Sequence, residues 1–104
     1  VRKRYNTNLG FDNFVDKRLE GAKKITKDSY EKGGTSMLTY YHYDAKLPFY
    51  LDAAGGNFDI EAAKEVFDSL KSEISYDMPQ IDFQKKMGAM EVLGELIIKQ
   101  ESKK

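Results

Sequence analysis

Apolar residues recur at three- and four-residue spacing along almost the whole of this 104-residue chain, and the runs stop only at paired glycines and at proline. That spacing places the apolar side chains of each run on one face of a helix, whereas a half-buried strand needs strict alternation. The pattern predicts an all-α fold, a small bundle of four main helices with a short extra helix after Pro48 and an extended N-terminal arm. It covers residues 1–104 as a single helical domain.

Phe11, Phe14, Val15, Leu19, Ala22 and Ile25 share a face and predict a first helix over about 11–30. Gly33-Gly34 ends it, because glycine takes the left-handed conformation without a Cβ clash. Thr35 or Ser36 offers an N-cap for a second helix from about Met37. Met37, Leu38, Tyr40, Tyr41, Tyr43, Ala45 and Leu47 spread around most of its circumference, leaving a polar stripe of Thr35, Thr39, His42 and Lys46. A helix apolar nearly all round is buried on most sides, so residues 37–47 are expected at the centre of the bundle with His42 facing solvent. Pro48 interrupts it by steric clash with the preceding turn, giving a kink or a short helix over 48–54 closed by Gly55-Gly56.

Asp59 is placed to cap a fourth helix, whose narrow stripe of Ile60, Ala63, Phe67, Leu70 and Ile74 predicts a peripheral, amphipathic element. Pro79 suits the start of the last helix. There Phe83, Met87, Met90, Leu93, Gly94, Ile97 and Ile98 form one apolar strip, while Ile81, Ala89, Val92 and Leu96 form a second beside it. Gln84, Glu91, Glu95 and Lys99 make the polar line. Residues 1–9 lack periodicity and residues 100–104 are expected to fray.

Composition narrows the function classes. Seventeen basic and seventeen acidic residues cancel, which removes the clustered positive field that nucleic acid or anionic membrane requires. Only Arg2, Lys3 and Arg4 on the arm offer a local basic cluster. The absence of cysteine excludes disulfide scaffolds, thiol catalysis and Cys-ligated zinc, and favours a cytoplasmic location. No apolar run approaches the roughly 18 residues of a membrane span. The single histidine, His42, has no metal-binding partner at helical spacing and no nearby orienting carboxylate on its own face, since Asp44 is two residues away. The glycine pairs match no phosphate-binding loop. No cofactor, metal or catalytic constellation is called for.

Four features remain to carry function. The tyrosine-rich second helix and its neighbour, with Tyr40, Tyr43 and Tyr50, predicts a hydroxyl-bearing recognition surface or small pocket. Arg18 and Asp44 sit among apolar residues, and a buried charge needs a partner, so the two are expected to meet or to be satisfied by tyrosine hydroxyls, the rival being that Arg18 snorkels past the rim of its stripe. Gly88 and Gly94 weaken the last helix by roughly 1 kcal/mol each, which close approach of the aromatic helix would offset. The second apolar strip of the last helix is either covered within the monomer or available for self-association through Ile81, Ala89, Val92 and Leu96. The leading expectation is a non-enzymatic protein–protein interaction or structural module able to form a homodimer. The rivals are a small-molecule-binding or catalytic domain built on the tyrosines, and a nucleic-acid accessory protein using the basic arm.

Overall fold

The computed structural model describes residues 9–101, apart from the side chain of Leu9, and in it the chain forms five α-helices with no strand among the described residues. They are α1 (Leu9–Lys32), α2 (Ser36–Asp44), α3 (Leu47–Ala54), α4 (Ile60–Glu73) and α5 (Gln80–Glu101). This is the expected small all-α bundle with a short helix after the Pro48 break. Residues 1–8 of the expected arm and residues 102–104 of the expected frayed end lie outside the described residues. Leu9 already belongs to α1. At the other end Gln100 and Glu101 remain helical rather than frayed: Gln100 is buried, and Lys64 Nζ holds Glu101 Oε2 at 2.9 Å.

Local chemistry sets the boundaries. Gly33 and Gly34 both take positive φ, so the chain reverses at once and the Ser36 N–H donates to the Gly33 carbonyl at 3.0 Å. Thr35 stands at the start of α2, but its side chain makes no capping hydrogen bond. α2 stops at Asp44, four residues before Pro48, which has no N–H to donate to the Asp44 carbonyl and whose ring crowds it. After a two-residue turn the chain resumes as α3 with Pro48 in its first turn, where no backbone N–H is needed. At the end of α3 the Asn57 N–H donates to the Asp52 carbonyl and the Gly56 N–H to the Ala53 carbonyl, with Gly56 at φ +84°. Those two bonds form a Schellman closure, which needs a left-handed residue at that position. Asp59 caps α4 as expected, its Oδ1 accepting from the Glu61 and Ala62 N–H groups.

The core runs through α1, α3 and α5, with Phe58 and Ala63 completing it from the α4 side. Phe11, Val15, Val92 and Leu96 are its largest fully buried side chains, each worth about 1.5–3 kcal/mol relative to exposure. Phe11 stacks on Phe58 at 5.7 Å between ring centroids.

Two expectations are corrected here. The central helix is α5, which touches all four others, while no residue of α2 is fully buried. α2 is only nine residues long and leans on α1 and α5, so its bulky rings are half covered instead of enclosed. The second strip of α5 is not an outward face either. Ala89, Val92 and Leu96 are buried within the monomer, and of the four residues only Ile81 reaches solvent, at 42% exposure. Ala89, Val92 and Leu96 are covered because the other helices pack against that side of α5, so a second copy has no access to them in the folded chain. No helix among the described residues is long and apolar enough to cross a membrane.

Candidate functional site

The polar line of α5 and the polar stripe of α2 face each other. Gln84, Gly88, Glu91 and Glu95 follow 4-3-4 spacing and therefore share one face of α5. Gly88 is the point of closest approach, since a Cβ there would overlap the backbone carbonyl oxygen of His42. One turn to either side, the His42 ring spans the contact: Nδ1 lies 3.0 Å from Gln84 Oε1 and Nε2 lies 3.1 Å from Glu91 Oε1. An imidazolium donates to both oxygens. A neutral ring keeps both bonds only if the Gln84 amide turns to present its N–H₂. The His42 side chain is 15% exposed, so it is a clasp between helices and not the solvent-facing residue that the stripe implied.

Lys46, in the turn after α2, completes the clasp. Its ammonium donates to Glu91 Oε1 at 2.9 Å and lies 4.5 Å from the centroid of the Tyr43 ring, and the residue is 5% exposed. Burial alone would raise the pKa of the Glu91 carboxyl. The hydrogen bonds from Lys46 and His42, with their positive charge, outweigh that effect and hold it below the usual carboxylate range.

One turn further along α5, Glu95 Oε1 accepts a 2.6 Å hydrogen bond from the Tyr50 hydroxyl, while Arg18 Nη1 approaches Oε2 at 3.7 Å. Burial first, and then the bond to Glu95, push the Tyr50 phenol far above its ordinary value, so it remains a neutral donor. Arg18 also lies over the Phe14 ring. These groups line a cleft of about 330 Å³ between α1, α5 and the α2–α3 corner, with Lys17 and Gly21 at its α1 edge.

Of the residues singled out from sequence, Arg18, Tyr43 and Tyr50 come together in this cleft. Tyr40 and Asp44 do not. Tyr40 packs against Tyr30 and Tyr41, and its phenol is shifted upward, first by the charge of Asp44 and then by desolvation. Arg18 pairs with Glu95 and not with Asp44, which is exposed. The basic cluster Arg2, Lys3 and Arg4 lies outside the described residues. Gln84, Lys46, Glu91 and Glu95 were missed as site residues because a polar stripe on one helix reads as a solvated face. The available signal was Gly88, a helix-weakening residue in the middle of that polar line.

Chemically the seam is closed on itself. General base catalysis needs an imidazole nitrogen free to take a proton from a substrate, and both nitrogens of His42 are engaged by α5. No group of three or more His, Cys, Asp or Glu side chains that could hold a metal ion occurs among the described residues. The most exposed aliphatic side chain among the described residues lies elsewhere on α5. Ile98 is 69% exposed and stands between two shallow hollows, one lined by Phe67, Gly94 and Ile97, the other by Phe14 and Lys99. Comparison with known proteins finds no matching family model, curated protein or solved structure.

Proposed function

We propose that this chain is a non-enzymatic protein–protein interaction module that docks a protein partner on the face around Ile98. The observation that supports the reading is the side chain of Ile98, an aliphatic group standing in solvent between hollows whose walls come from α1, α4 and α5. Apolar relief of this kind is what a partner's anchor residues fill. Action in the cytoplasm belongs to the same reading and rests on the lack of cysteine.

Selection of displayed random peptides against the folded chain tests it. Peptides with apolar anchors are expected to be enriched, and their binding should vanish on Ile98→Lys. Failure to enrich, or binding indifferent to that substitution, would overturn the reading. Light scattering over a concentration series separates a second copy from a different partner: a dimer broken by Ile98→Lys identifies the partner as the chain itself.

The cleft beside Tyr43 and Tyr50 supports a second reading as a small-molecule site, because its size falls within the roughly 300–1,000 Å³ usual for ligand pockets. A ligand there must displace the bonds that Arg18, Lys46 and Tyr50 already make to Glu91 and Glu95.

A further inference from the structure

A second apolar hollow lies away from Ile98, where α3, the turn after it and α4 meet α5. Phe49, Ala62, Val66 and Leu93 line it, and Asp52 and Asp59 stand among the same lining residues. No lysine or arginine lines it. The acidic border of the hollow is therefore the pair Asp52 and Asp59, both exposed. The positive end of the α4 dipole is answered by the Asp59 cap and by Glu61. The hollows beside Ile98 differ in kind, each having both a cation and an anion in its lining: Lys64 and Asp68 in one, Lys99 and Glu95 in the other. On a chain of zero net charge, one apolar hollow therefore carries an acidic border.

Its volume is about 150 Å³, well below the roughly 300 Å³ at which pockets for small ligands begin, and suited to one apolar side chain. We propose that this groove binds an extended segment of a partner protein that carries a single aliphatic or aromatic anchor flanked by lysine or arginine. The anchor enters between Phe49, Ala62, Val66 and Leu93. The flanking cations face Asp52 and Asp59, an arrangement that sets specificity and association rate more than raw affinity. This goes beyond the Ile98 reading and uses different residues, so either surface can fail without the other.

The probe is a fluorescein-labelled peptide Gly-Arg-Lys-Leu-Arg-Lys-Gly, titrated by anisotropy against the full chain. Saturable binding is expected, weakening as salt rises because the rim charges are solvent-exposed. Val66→Lys should weaken it about tenfold or more by filling the groove with like charge, and Asp52→Lys should weaken it several-fold. Both positions are exposed, Val66 at 41%, so the fold should be kept, which circular dichroism checks. Ile98→Lys should leave the affinity unchanged. Absence of binding, equal binding of a peptide with Glu and Asp in place of the basic residues, or loss on Ile98→Lys but not on Val66→Lys would each overturn the proposal. So would a dimer of this chain that Val66→Lys dissociates while the peptide does not bind.

Discussion

Gly88 and Gly94 sit six residues apart in one helix and have opposite work to do. At Gly88 the space for a Cβ is taken by the His42 carbonyl, a backbone group that moves only if α2 moves. Gly88→Ala therefore gains about 1 kcal/mol of helix propensity but must push two helices apart, and such overpacking costs about 1–3 kcal/mol or more. We expect net destabilisation and loss of the His42 bonds to Gln84 and Glu91. At Gly94 the nearest atom to an added Cβ is Phe67 Cε2 at 3.7 Å, an ordinary contact, so Gly94→Ala should stabilise the chain by about 0.5–1 kcal/mol. Urea denaturation of both variants should show midpoints moving in opposite directions. Tyr50 makes a different residue-level case. Its folded pKa lies above the unfolded value near 10.0, so its contribution is fully present below that value and drains away as the pH rises beyond it, when the unfolded chain ionises first. Tyr50→Phe loses the bond to Glu95, about 1 kcal/mol, and should flatten the alkaline limb of a stability-against-pH curve.

At the scale of helices, the α2–α5 seam ties a short element to the central one. Glu91 is its hub, taking both Lys46 Nζ and His42 Nε2 on one oxygen. Its folded pKa is depressed, so its contribution is present above the unfolded value of about 4.5 and is lost as the pH falls through the lower, folded value. Glu91→Gln should remove that acid-dependent part, so the difference in stability between variant and wild type, measured by urea titration, should shrink below about pH 4.5. An undiminished gap at acid pH would mean that the carboxylate charge does not hold the seam. The helix ends were legible in the sequence because each depends on a local device: positive-φ glycines at 33, 34 and 56, the Asp59 cap, and proline at 48. Which face of a helix meets which neighbour depends on tertiary packing, and one helix's pattern does not contain it. The ring-rich stripe of α2 looked like a core element because hydrophobicity counts ring area. Tyr30, Tyr40 and Tyr41 instead cover part of that area by packing on one another while Tyr30 stays exposed. The polar line of α5 looked solvated for the converse reason: its partners lie more than forty residues earlier in the chain.

For the molecule as a whole, α5 decides both whether the chain folds and what it can touch. It carries two apolar strips, and only the packing of the other four helices shows which of its side chains are structural. Val92 and Leu96 are 0% exposed, so Val92→Asp and Leu96→Asp place an unpaired carboxylate in the core. Losses beyond about 4–5 kcal/mol come from changes of that class, enough to unfold a domain whose total stability is about 5–15 kcal/mol. Ile81 and Ile98 belong to the same helix and are as apolar, yet they face water, so Ile81→Asp and Ile98→Asp should stay within about 0.5 kcal/mol of wild type. Circular dichroism and thermal melts of the four variants would therefore separate into two unfolded and two native chains. The two native ones are also the informative controls for binding, because a surface that engages a partner must lose affinity when charged while the fold survives. If Ile98→Asp unfolded the chain along with Val92→Asp, the exposed ridge would have to be part of the core, and the docking face argued from it would not exist.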